Sequence, residues 1–72
     1  MAKSKDLPII AKNMKKYRAQ LGISQDKLSK LADVTFHTIT KIESGSTPNP
    51  GIETVIKIAA ALEVSLDDLT KE

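Results

Sequence analysis

The sequence predicts an all-α domain of five helices, and three observations predict it. Apolar residues recur at steps of three and four in successive segments, and no segment alternates convincingly with period two. Helix-capping residues precede those segments, and Gly or Pro interrupts between them. The 72 residues leave room for one small core and no second domain.

Leu7, Ile10, Met14, Tyr17 and Leu21 share one helical face, while Lys12, Lys15 and Lys16 fall elsewhere. Asp6 is placed to cap this helix, Pro8 suits its first turn and Gly22 its exit, which predicts a first helix over 8–21. Ser24 caps a second helix from Gln25 to Ala32, with Leu28, Leu31 and Ala32 on its apolar side. After Asp33 and Val34, Thr35 caps a third helix from Phe36 to Ser44, with Ile39 and Ile42 turned to the core and Gly45 ending it. So short a connection is the tight turn of a helix-turn-helix unit rather than a free linker.

Pro48 and Pro50 fix φ and remove donors, so residues 46–51 form a loop. A fourth helix from Ile52 to Leu62 is expected to bury Ile52, Val55, Ile56, Ala59 and Leu62. Ser65 with Asp68 three residues on approaches a capping box and starts a final turn ending near Leu69. The organisation is therefore a flexible basic arm over 1–7, a folded unit over 8–69 and a tail over 70–72, without repeats or low-complexity tracts.

The net charge of +2 conceals a division. Residues 1–45 carry nine Lys and Arg against four Asp and Glu, a net +5, whereas residues 46–72 carry two against five, a net −3. A basic half suits a polyanion, although solvated helix faces would give the same totals. With no Cys, disulfide scaffolds, Cys-based zinc sites and thiol nucleophiles are excluded. His37 is the single His, without a metal-binding or acid–base partner at a usable spacing, so no enzyme, cofactor or metal is expected. No apolar run has membrane-spanning length, and the chain reads as cytoplasmic.

Helix three is the informative segment. Opposite its core direction lies His37, flanked by Thr40 and Lys41, with Phe36 at the edge, and no acid interrupts this face. Such a face suits the major groove, where Lys donates to guanine, imidazole donates or accepts, and Thr or Phe touches a thymine methyl. Phe36 covering the junction of helices two and three, with His37 and Lys41 as ordinary surface residues, is the competing reading.

The residues Tyr17-Arg18, Leu21-Gly22-Ile23-Ser24-Gln25, Leu28, Val34-Thr35, Ile39, Ile42-Glu43-Ser44-Gly45, Pro50, Thr54, Lys57-Ile58-Ala59 and Ala61-Leu62 together resemble the phage-repressor helix-turn-helix family, the Xre/Cro-like domains. The resemblance covers about residues 10–69. It implies a five-helix DNA-binding domain whose third helix reads the major groove as part of a two-fold dimer. By position it implies phosphate contact at Gln25, a recognition helix beginning at Thr35, base-reading roles for Phe36, His37 and Lys41, and a backbone-approaching loop at Ser44 and Ser46. It also implies an ion pair between Arg18 and Glu43; the alternative for Arg18 is a free DNA-facing cation. Three positions depart from the family pattern: Ser29 stands where Ala is favoured, and Asp33 and Glu63 where Gly is common.

The function expected is a sequence-specific transcriptional regulator, a repressor, binding a palindromic operator on double-stranded DNA as a homodimer. Its DNA-contacting residues would be Gln25, Thr35, Phe36, His37, Thr40, Lys41, Ser44 and Ser46, with Lys3 and Lys5 on a mobile arm. Helix four, the final turn and residues such as Ile52, Val64 and Leu66 are the expected dimer surface. The rival is an antitoxin or adaptor whose acidic C-terminal half binds a protein partner, a toxin or another regulator.

Overall fold

In the computed structural model, residues 7–72 are described, and they form helices α1 (Ile9–Leu21), α2 (Gln25–Ala32), α3 (Phe36–Glu43), α4 (Ile52–Leu62) and α5 (Leu66–Thr70), with no strand among them. The expected arm, with Lys3, Lys5 and the capping Asp6, lies outside the described residues apart from Leu7. The cap of α1 is instead Pro8, which has no side chain to accept a backbone N–H, so the helix starts one residue later than predicted. At the far end of α3, Ser44 is the C-cap rather than the last helical residue. The final helix runs to Thr70, one residue past the expected end.

Local chemistry accounts for the elements. Ser24, Thr35 and Ser65 each accept a hydrogen bond from the backbone N–H three residues on, closing α2, α3 and α5 at their N-termini. At Ser65 the bond is reciprocated by the Asp68 carboxylate, completing a capping box. The hydrogen bonds from the Ser65 backbone and side chain hold the Asp68 carboxyl below the usual carboxylate range. Two departures from the family pattern have a clear backbone consequence: Asp33 and Glu63 are the C-caps of α2 and α4 and adopt left-handed φ of 59° and 62°. Ser29 is buried, and its hydroxyl donates to the Asp26 carbonyl at 2.7 Å, one turn back.

The core is one cluster built from Ile10, Met14, Leu28, Ala32, Ile39, Ile42, Val55, Ile58, Ala59, Leu62 and Leu69. Four apolar residues expected inside are not: Leu21, Leu31, Ile52 and Ile56 are 42, 52, 62 and 50% exposed. In α4 the buried set is Val55, Ile58, Ala59 and Leu62, the i, i+3, i+4, i+7 stripe, with Ile58 wholly buried. Ile52 and Ile56 lie one turn apart outside that stripe, which leaves two isoleucines facing solvent.

α1 is tied to α5 by one side chain. The Asn13 amide donates to the carbonyls of Leu69 and Lys71, both at 2.8 Å, with Asp68 at a longer 3.4 Å. These are carbonyls at the end of α5 that the helix itself leaves without partners. The short final helix is thereby anchored to α1.

Candidate nucleic-acid interface

The geometry of α3 is fixed from behind by a buried carboxylate. Glu43 is 1% exposed and accepts from Arg18 Nε and Nη2, both at 2.9 Å, and from Gln25 Nε2 at 3.0 Å. Arg18 also donates to the Ile23 carbonyl at 3.1 Å, and its guanidinium is held more strongly protonated than usual, first by the Glu43 hydrogen bond. One carboxylate thus joins the last turn of α1, the first of α2 and the last of α3. The planar guanidinium meets it in two parallel bonds, the strong geometry for this pair.

Gln25 therefore has a partner that its sequence position does not reveal. The residue opens α2, where free N–H groups and the helix dipole favour an anion, yet its amide donates inward to Glu43. The half-buried side chain braces the clamp, while the α2 N-terminus around it stays at the surface.

On the outward side, the structure brings Phe36, His37, Thr40 and Lys41 onto one helix of eight residues, with Thr35 at its cap and Ser44 and Ser46 just past its end. Phe36 is 49% exposed, so it is only half covered at the helix junction. Hydroxyls along this segment are engaged within it. Thr35 and Thr38 pair at 2.8 Å, Thr40 donates to the His37 carbonyl at 2.9 Å, and Ser44 lies 3.1 Å from both the Lys41 carbonyl and the Ser46 hydroxyl. The side chains of His37 and Lys41 make no hydrogen bond or ion pair among the described residues.

The loop after α3 is tightly folded. Gly45 adopts φ of 89°, a left-handed conformation that favours glycine, and a Cβ there would press on the end of the Leu7 side chain at 3.2 Å. Beyond it, Thr47 and Thr54 join His37, Thr38 and Lys41 around a shallow depression of about 240 Å³. Neither threonine is among the contact residues expected from the sequence. Thr54 sits in the first turn of α4, whose cap Gly51 provides no side-chain acceptor, and that uncapped start was the signal available. No group of His, Asp or Glu among the described residues is arranged to hold a metal ion.

Residues 14–69 match the Helix-turn-helix family model. The chain belongs to the Xre/Cro-like helix-turn-helix family. An HTH-type transcriptional regulator of Haemophilus influenzae is 47% identical over 49 residues, covering 68% of this chain and 49% of that protein. The regulator SinR of Bacillus subtilis is 33% identical over 64 residues, 89% of this chain and 58% of SinR. The N-terminal DNA binding domain of SinR superposes with a TM-score of 0.85 over 89% of this chain and 93% of that domain, at 33% identity. The restriction-modification controller protein C.AhdI from Aeromonas hydrophila gives 0.80 over 90% and 97%, at 25% identity. The chain spans about half the length of the first two regulators, so the likeness concerns their helix-turn-helix part. Its five-helix architecture is that of the SinR DNA-binding domain.

Proposed function

We propose that this helix-turn-helix domain binds a palindromic operator in double-stranded DNA as a homodimer and acts as a repressor in the cytoplasm. The single observation that carries the reading is the outward face of α3. It is free of acid, it presents His37 and Lys41 uncommitted, and the Arg18–Glu43 clamp fixes it from behind. A helix of eight residues is ~12 Å long, which fits a major groove ~12 Å wide. Phe36, His37, Thr40 and Lys41 contact base edges. Thr35, Ser44, Ser46 and the α2 N-terminus at Gln25 lie along the phosphates.

Dimerisation is supported by an apolar groove of about 610 Å³ next to the reader, whose lining includes Pro8, Ile9, Pro50, Ile52 and Leu66. Ile52, the most exposed large hydrophobic residue, stands at its edge, and Pro50 lines both this groove and the depression beside His37. A two-fold dimer formed through this surface would have to read half-sites about one helical turn (~34 Å) apart on the duplex.

Selection from random duplexes tests the reading. A two-fold symmetric site is expected, bound with a salt dependence of slope about −0.9 per phosphate neutralised. Ile52→Lys should abolish the dimer in sedimentation while leaving the helical content intact. Absence of any preferred sequence at moderate salt would refute specific recognition and favour the protein-interaction module.

A further inference from the structure

We propose that the reading face of α3 is split lengthwise, with Phe36, beside Thr40, reading thymine 5-methyl groups by apolar contact while His37 and Lys41 carry the polar readout. The proposal rests on the DNA-binding reading above and specifies what that face recognises.

Two observations lead to it. Phe36 is one of only two aromatic residues in the chain, and it stands 49% exposed rather than in the core, which Ile39 and Ile42 fill from the opposite side of the same helix. At 100° per residue, Thr40 falls one turn from Phe36 on the same edge, and His37 and Lys41 form the next. Independently, the hydroxyl hydrogen of Thr40 is already engaged. Thr40 donates to the His37 carbonyl, and Thr38 is paired with Thr35. The Phe36–Thr40 edge therefore offers a ring, a methyl group and no free donor.

In the major groove, the apolar feature of a base edge is the thymine 5-methyl, which stands beside the O4 acceptor. An edge without a free donor gains nothing from O4 but gains from covering the methyl. The polar edge has the opposite chemistry: Lys41 supplies donors and His37 a donor or an acceptor, which suits purine N7 and O6. Each half-site should thus combine a purine under His37 and Lys41 with a thymine under Phe36.

Replacing thymine by uracil in the selected operator removes one methyl and leaves every hydrogen-bonding group of the base. Covering one carbon contributes about 0.8 kcal/mol, so wild-type affinity should fall about fourfold at one thymine in each half-site. The Phe36→Ala variant should bind the thymine and uracil duplexes equally well, and circular dichroism checks that it remains helical. The proposal is overturned if no thymine-to-uracil exchange weakens the wild type, or if the loss persists undiminished in Phe36→Ala. A selected operator with either outcome leaves the DNA-binding reading intact, whereas failure to select any sequence removes both.

Discussion

Cutting the Arg18–Glu43 pair from its two sides should have unequal effects. Arg18→Met leaves the Glu43 carboxylate 1% exposed, with one remaining donor, Gln25 Nε2, where three bonds had compensated its burial. Stranding a charge in this way costs ~3–5 kcal/mol. Glu43→Gln strands a guanidinium that is 21% exposed and keeps the Ile23 carbonyl, so water can reach it and the loss should be smaller, ~1–3 kcal/mol. Against a total of ~4–11 kcal/mol for a domain of this length, Arg18→Met removes a large share of the stability. At ~4–8 °C per kcal/mol the melting temperature should drop by at least ~12 °C. Urea titration followed by circular dichroism measures both variants. Replacing the two together, Arg18→Met with Glu43→Leu, should return to within ~1 kcal/mol of the parent, because neither charge is left behind. A loss below ~1 kcal/mol for Arg18→Met, or a larger loss for Glu43→Gln than for Arg18→Met, would refute the reasoning.

Further expectations concern the other features of the fold and the interface. Glu63→Gly should raise stability by ~0.5–1 kcal/mol, since a left-handed residue with a Cβ carries strain, and Asp33→Gly should gain less because Asp tolerates that region better; urea midpoints decide. Ser65→Ala should cost ~1 kcal/mol through loss of the α5 cap. Because the Asp68 pKa is depressed in the folded state, its contribution is present above the ordinary carboxylate pKa and fades as pH falls through the lower folded value. Amide protection factors in α5, corrected for the slower intrinsic exchange in acid, should accordingly fall ahead of those in α1. Lys41→Ala or His37→Ala should each weaken specific binding by ~1–3 kcal/mol and relax preference at one or two base pairs, as read by fluorescence anisotropy on single-mismatch duplexes.

Helix positions were legible in the sequence because caps and breakers are local chemistry. Ser24, Thr35 and Ser65 act as the sequence predicts, and Asp33 and Glu63 take the left-handed positions of the glycines they replace. Faces were less legible. The α4 segment IETVIKIAAAL is apolar nearly all round, so two overlapping stripes satisfy helical periodicity. Periodicity is satisfied by one containing Ile52 and Ile56, but packing selects the one containing Ile58. Long-range polar bonds were legible only where the family resemblance supplied them, as for Arg18 and Glu43. Nothing local to Asn13 indicates that it holds carbonyls more than fifty residues away, and nothing local to Gln25 indicates that its amide turns inward to Glu43. Such partners depend on how the helices stack, which one chain's periodicity does not encode.

The outward residues of α3 bear almost none of the structural burden of the helix that carries them. The core is filled by Ile39 and Ile42, the anchoring by Glu43 and the start by Thr35, while the side chains of Phe36, His37 and Lys41 contribute little to any of these. Evolution can therefore exchange these outward residues one by one with small effects on stability. A duplicated copy of such a domain is free to change the chemistry of this face without first repairing its fold. The same separation makes the α3 surface a suitable place for engineered libraries, with Arg18, Gln25 and Glu43 kept constant beneath it.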